Sequence, residues 1–80
     1  MPYEIDLPQD FQDRIAAMPH PVREDLLGAL REASRDPFLL PSLLPSDPRS
    51  RILSFAEGNG LALVEVDEDG KRIALRLIRP

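Results

Sequence analysis

Hydrophobic and polar residues change their period along the chain, and each period predicts one kind of element. Residues 3–7 alternate between apolar and acidic side chains, which predicts a short first strand. Apolar residues then recur at helical spacing over residues 8–18, and Pro19 ends that helix. A second apolar stripe predicts a longer helix over residues 22–35, which ends before Pro37 because proline disfavours helical backbone in the residue preceding it. The two helices are predicted to form an antiparallel hairpin.

The period becomes two from Arg51 onward, and the dipeptides Asn59-Gly60 and Asp69-Gly70 interrupt it. Both dipeptides favour type I′ hairpin turns, because such turns need positive φ at both central residues. The pattern therefore predicts an antiparallel meander of three strands, over residues 51–57, 61–67 and 72–78.

Two-residue turns at these dipeptides also predict how the strands pair. The expected cross-strand pairs are Val66 with Ile73, Val64 with Leu75, Ala62 with Leu77, Phe55 with Val64 and Leu53 with Val66. These residues share one apolar face, which we expect the two helices to cover. The predicted fold is therefore α+β, with the order β-α-α-β-β-β and a helix hairpin packed on an antiparallel sheet.

A proline-rich segment, residues 37–48, separates the helices from the meander and contains four prolines. Proline removes a backbone donor and fits neither a helix interior nor a central strand. We expect an extended loop whose leucines either press onto the domain surface or contact a partner. A chain of 80 residues is expected to be one domain, residues 1–80, that includes this loop.

The face of the meander opposite the helices carries apolar and small residues at one end and charges at the other. Apolar patches of this kind mark docking sites, although scattered surface leucines are also normal. If the patch is a docking site, the residues predicted to bind the partner are Ile52, Ala56, Leu61, Leu63, Arg76 and Ile78. We expect the arginines on this face to be balanced by carboxylates on the neighbouring strand.

Composition limits the functional classes further. The chain has 42% hydrophobic and 30% charged residues, which is typical of a folded globular protein. It has no cysteine, no run of roughly 20 apolar residues and no basic N-terminal region of a secretory signal, so we expect a cytoplasmic protein without membrane association. A net charge of −4 disfavours general attraction to nucleic acid.

No cofactor motif is present, and the sequence predicts no metal site. Glu65, Asp67 and Asp69 alternate before Gly70 like the start of a calcium loop. The twelfth position of such a loop needs a glutamate, but counting from Glu65 reaches Arg76.

Three arginines are the candidates for phosphate chemistry. Arg49 and Arg51 lie at the start of the second strand, and Arg79 lies at the end of the last strand. They form a small cationic cluster if these strand ends lie on the same side of the sheet; otherwise they are solvated strand termini.

The order of elements resembles the RelE/ParE superfamily of bacterial type II toxins over nearly the whole chain. The segment VREDLLGALREASRDP resembles the second helix of that family, and RSRILSFAEGNGLALVEVDEDGKRIALRLIRP resembles its arginine-led sheet. In the endoribonuclease branch, the resemblance implies catalytic roles for Arg49, Arg51 and Arg79. Leu61 stands where that branch has an arginine that helps to hold the reacting phosphate.

The resemblance implies three functional hypotheses. The leading one is a toxin-like component of a type II toxin–antitoxin system that acts by binding protein and is neutralised by an antitoxin. The second is a ribosome-dependent mRNA endonuclease, which is less favoured because the sequence offers no general base and no terminal tyrosine. The third is a degenerate, non-toxic module that binds another protein or forms a homodimer.

Overall fold

The computed structural model describes residues 2–79, which form two α-helices and five strands. Two short 3₁₀ turns connect some of these elements. In chain order, the elements are β1 (Glu4–Asp6), α1 (Gln9–Ala16), α2 (His20–Arg35), a 3₁₀ turn (Pro37–Leu39), β2 (Ser42–Leu44), β3 (Asp47–Phe55), a 3₁₀ turn (Ala56–Gly58), β4 (Gly60–Asp67) and β5 (Arg72–Arg79).

The two predicted helices are confirmed, and proline sets the start of each. Pro8 and Pro19 occupy the N-cap positions of α1 and α2, where a missing backbone N–H costs no helical hydrogen bond. Helix α2 ends at Arg35 because Asp36, which precedes Pro37, has extended backbone angles. The helix pair therefore packs as a hairpin on the face of the sheet that the sequence predicted.

The sheet has five strands in the order β1-β5-β4-β3-β2. Strands β3, β4 and β5 form the predicted antiparallel meander. Strand β2, which was not predicted, pairs antiparallel with β3, and β1 pairs parallel with the first residues of β5. The predicted α+β fold is confirmed, although the sheet is mixed and not purely antiparallel. The core lies between the helices and the inner face of the sheet and is built from Ile15, Leu26, Leu30, Ala33, Leu53, Phe55, Ala62, Val64, Ile73, Leu75 and Ile78.

The proline-rich segment is more ordered than the extended loop that we predicted over residues 37–48. It contains a 3₁₀ turn, the edge strand β2 and the first residues of β3, which begins at Asp47 and not at Arg51. Proline excludes a segment from the centre of a sheet but is tolerated at an edge, where one side of the strand needs no partner. Prolines flank β2, and the Pro41 carbonyl accepts a hydrogen bond from the Ile52 backbone N–H at 2.9 Å.

The predicted two-residue turn at Asn59-Gly60 is wrong. Phe55 pairs with Gly60, so the pairing of β3 with β4 differs from the predicted register by four residues. The aromatic ring of Phe55 lies over Gly60, and a Cβ at that position would clash with the ring. An even shift keeps every side chain on its predicted face, and the inner apolar face therefore survives the error.

The connection between β3 and β4 is a left-handed turn over residues 56–58. Ala56, Glu57 and Gly58 have φ values of 53°, 55° and 87°. Residues other than glycine rarely adopt this left-handed region of backbone conformation. The backbone N–H of Ala56 donates a hydrogen bond to the carboxylate of Asp25 on α2. This contact ties the strained turn to the helix layer and holds the observed register.

The predicted register of β4 with β5 is confirmed from the turn as far as Val64, which pairs with Leu75. Beyond that point a β-bulge leaves Arg76 without a cross-strand partner, and Leu63 pairs with Leu77. The one-residue shift reverses the faces of the last residues of β5. Leu77, predicted to be inside, is 49% exposed, whereas Ile78, predicted to be outside, is buried in the core.

Candidate functional site

The outer face of the sheet carries a shallow apolar depression of about 180 Å³, which we call the outer groove. It crosses the strands from β2 to β5 at the end of the sheet where β3 meets β4. Its lining residues are Leu43, Ile52, Leu61, Ala62, Leu63, Leu77 and Arg79. The pairing of the strands brings these residues together in two neighbouring rows across the sheet. One row contains Ile52, Leu63 and Leu77, and the next contains Ser54, Leu61 and Arg79.

Four of the six predicted partner-binding residues lie on this outer face. Ile52, Leu61 and Leu63 line the outer groove, and Leu61 is 44% exposed. Arg76 lies beside the groove at the bulge, and its guanidinium is 3.4 Å from the carboxylate of Glu65. The expected balance of charge on this face therefore holds for Arg76.

The other two predicted residues, Ala56 and Ile78, do not lie on the outer face as expected. Ala56 lies in the left-handed turn and packs against the core, on the side of the sheet that faces α2. Ile78 is buried because the bulge turns it inward. The sequence reasoning missed Leu43 and Leu77, which take part in the groove instead. Leu43 was missed because it lies in the proline-rich segment, which was predicted to be a loop. Leu77 was missed because an alternating sequence pattern does not reveal the bulge that turns this residue outward.

Arg51 makes contacts that anchor the proline-rich segment. Its Nε donates to the carbonyl of Pro48 at 2.8 Å, and its Nη1 donates to the carbonyls of Leu40 at 2.9 Å and Phe38 at 3.3 Å. The guanidinium also lies 5.0 Å from the centre of the Phe38 ring, within cation–π range. Most of its donors are therefore used inside the protein.

The three arginines do not form the cationic cluster that was one of two alternatives left open by the sequence. Strands β3 and β5 lie on either side of β4 and both run antiparallel to it, so both start at the same end of the sheet, and the start of β3 is far from the end of β5. Ser50 pairs with Glu65, and Arg79 pairs with Leu61, so the two ends are separated by four residues of β4, roughly 13 Å along the strand. Arg49 and Arg79 therefore lie at opposite ends of the sheet.

The carboxylate of Asp47 stabilises the start of β3. It accepts a hydrogen bond from the hydroxyl of Ser50 at 2.8 Å and another from the backbone N–H of Arg49 at 3.1 Å. These two hydrogen bonds hold the pKa of Asp47 below its ordinary value, with the bond from the Ser50 hydroxyl the larger cause and the bond from the Arg49 backbone the second. The side chain of Arg49 adds only a weak charge effect, which is consistent with a solvated guanidinium.

Neither helix within residues 2–79 is long and apolar enough to cross a membrane.

Comparison with known proteins gives matches in structure but not in sequence. No protein-family model matches the chain, and no curated protein matches its sequence. A double arginine-to-alanine mutant of the Escherichia coli toxin RelE in the free state superposes with a TM-score of 0.80 at 17% identity, covering 98% of this chain and 82% of that one. The toxin–antitoxin complex RelBE2 from Mycobacterium tuberculosis gives a TM-score of 0.70 at 13% identity, covering 99% of this chain and 91% of that one.

Both superpositions include nearly all of this chain, so they cover the helix hairpin, the sheet and the outer groove together. At such low identity they establish the architecture and not the chemistry of individual residues. The fold inferred from the order of elements is confirmed, and the chain has a RelE-like fold.

Proposed function

We propose that this chain is a toxin-like component of a type II toxin–antitoxin system, acting in the cytoplasm by binding protein and neutralised by an antitoxin. The observation that carries the proposal is an apolar groove on the exposed face of a RelE-like fold. One of the similar structures is a toxin–antitoxin complex, which supports an antitoxin as the neutralising partner.

The distribution of charge supports binding of protein over cleavage of RNA. Stabilising a reacting phosphate needs several cationic donors aimed at one point. Here Arg51 is engaged with backbone carbonyls, and Arg49 and Arg79 lie at opposite ends of the sheet. Leu61 is the direct cross-strand neighbour of Arg79, so the groove offers one cation among aliphatic side chains.

The experiment that tests the proposal is controlled expression in a bacterial host. We expect growth to stop on induction and to resume when the product of an adjoining reading frame is expressed with it. We also expect transcripts to remain intact on ribosomes. Unchanged growth, DNA supercoiling and translation contradict the toxin assignment.

A triple variant separates binding from nuclease chemistry. Replacing Arg49, Arg51 and Arg79 together with alanine is expected to leave transcript ends on ribosomes unchanged, because no cleavage is expected in either protein. Codon-linked cleavage by the wild type that disappears in the triple variant contradicts the binding mechanism and supports the endonuclease.

A further inference from the structure

We propose that strand β2 pairs with β2 of a second copy of this chain about a two-fold axis at Leu43. The pairing is antiparallel and joins the two five-stranded sheets edge to edge. This inference concerns the free edge of the sheet and does not rest on the proposed function.

The two edges of the sheet differ in how they are protected against pairing with another chain. Within the described residues, β1 and β2 are the edge strands. Glu4 and Asp6 are exposed on β1, and charged side chains at an edge disfavour such pairing. Residues 37–46 carry no charged side chain, and Leu43 and Leu44 on β2 are 45% and 53% exposed. The β2 edge is therefore uncharged and aliphatic.

The prolines beside β2 do not block its free side. The Pro41 carbonyl accepts a hydrogen bond from the backbone N–H of Ile52, so the backbone of Pro41 faces β3. Pro45 lies in the turn that follows the strand. The N–H groups that these prolines lack are thus missing from the paired side and from the turn. The free side of β2 keeps its backbone donors.

The free side of β2 is complementary to itself. Because backbone groups alternate sides along a strand, Ser42 and Leu44 direct their N–H and C=O groups away from β3. The irregular pairing of β2 with β3 does not disturb this alternation, because its extra residues lie on β3. In an antiparallel pair centred on Leu43, Ser42 lies opposite Leu44 of the second copy and exchanges two hydrogen bonds with it. The two-fold axis generates two more.

The side chains of β2 fit the same arrangement. Leu43 lines the outer groove and so lies on the outer face of the sheet. Its symmetry mate occupies the closely spaced, non-hydrogen-bonded position directly opposite, where two aliphatic side chains contact each other. A two-fold axis perpendicular to the sheet keeps both helix layers on one side. Both outer grooves therefore remain open in the dimer.

The symmetric pair closes on itself and is weak. Each copy uses the same edge, and the β1 edges at the far ends carry Glu4 and Asp6, so no further chain is added. A three-residue strand buries little surface, and interfaces below about 1,200 Å² are typical of transient complexes. A longer strand from another protein gains few further bonds from so short an edge. A second copy supplies a strand of matching length with its leucine in register.

Single cysteines test the geometry, because the chain contains none of its own. In the symmetric pair, the two Cα atoms at position 43 lie about 4.5 Å apart, within the disulfide range of about 4.4–6.8 Å. Those at position 44 lie roughly 9 Å apart, beyond that range. In a glutathione redox buffer, we expect Leu43→Cys to form at least about tenfold more covalent dimer than Leu44→Cys. The matched control is the more exposed of the two positions.

Sedimentation velocity over about 1–500 µM measures self-association of the cysteine-free chain, and we expect dimer at the upper end of this range. Ser42→Pro removes one outward donor from each copy and is expected to raise the dissociation constant at least about tenfold. Ser42→Ala keeps the N–H and is expected to change it less than about twofold. The amide resonances of Ser42 and Leu44 are expected to shift with concentration, while those of β1 stay constant.

Three outcomes overturn the inference. They are a chain that stays monomeric at about 500 µM, equal cross-linking of the two cysteine variants, and a dimer that Ser42→Pro leaves unchanged. A strand from another protein bound at β2 of a chain that does not self-associate belongs to the first outcome. Circular dichroism of each variant excludes unfolding as the cause of lost association. The cysteine comparison decides the question even if Ser42→Pro does not fold.

Discussion

Replacing Arg51 with alanine removes the contacts that join the proline-rich segment to the sheet. Two hydrogen bonds to the partly buried carbonyls of Phe38 and Leu40 contribute about 1 kcal/mol each, and the exposed bond to Pro48 contributes less. The cation–π contact with the Phe38 ring adds about 0.5–1 kcal/mol. We therefore expect the free energy of unfolding to fall by about 2–3 kcal/mol.

Urea denaturation followed by circular dichroism measures this change, and thermal unfolding provides a second estimate. For a domain of this size, about 1 kcal/mol corresponds to a shift in Tm of roughly 4–8 °C, so the expected decrease is roughly 8–24 °C. Arg49→Ala is the matched control, because the contacts of Arg49 come from its backbone and its side chain is exposed. The control is expected to change the free energy by less than about 0.5 kcal/mol.

Equal stability of the two variants would refute the anchoring role of Arg51. The wild-type amide of Ile52, which donates to Pro41, is expected to exchange slowly with solvent and to lose protection in Arg51→Ala. Retained protection at Ile52 would also show that the segment is held without the guanidinium.

Three further predictions concern the turn, the bulge and the start of β3. Glu57→Gly is expected to raise the free energy of unfolding by about 0.5–1 kcal/mol, because glycine adopts the left-handed backbone of this position without strain. Glu57→Ala keeps the strain and is expected not to raise it. Equal free energies of unfolding for the two variants in urea denaturation contradict the strain. Ile78→Ala is expected to lower the free energy of unfolding by about 2–4 kcal/mol, because Ile78 is buried, and Leu77→Ala by less than about 1 kcal/mol, because Leu77 is exposed. A larger loss for Leu77→Ala than for Ile78→Ala in the same denaturation assay would show that the bulge is not at Arg76. Asp47 contributes stability that is complete above its ordinary pKa and is lost as pH falls through the lowered value. Ser50→Ala should raise this pKa in an NMR titration, and an unchanged value would remove the hydroxyl as its cause.

The elements that depend on local signals could be predicted from the sequence. Prolines at known positions delimit both helices, and period-two alternation places Leu53, Val64 and Leu75 on the inner face. These predictions are correct because proline geometry and side-chain alternation act within a few residues. The outer groove was predicted in part, since Ile52, Leu61 and Leu63 follow from the same alternation.

The errors arise where a distant contact overrides a local preference. Asn59-Gly60 is a strong turn signal, but the contact of Asp25 with the Ala56 backbone and the packing of Phe55 on Gly60 fix another register. Asp25 and Ala56 are 31 positions apart, so no local window relates them. The arginine cluster, one of two alternatives left open by the sequence, does not form for a simpler reason. Strands β3 and β5 lie on either side of β4 and run in the same direction, so the start of β3 and the end of β5 lie at opposite ends of the sheet.

The bulge at Arg76 makes the surface of β5 depend on strand pairing as well as on composition. Arg76 is the extra residue, so deleting it would leave Leu77 opposite Leu63 and Ile78 opposite Ala62, each on its present face. The same β5 residues paired without a bulge would instead place Leu77 inside and Ile78 outside. The amino acids of a strand therefore do not by themselves fix which side chains a partner meets, because one unpaired residue reassigns all those that follow it.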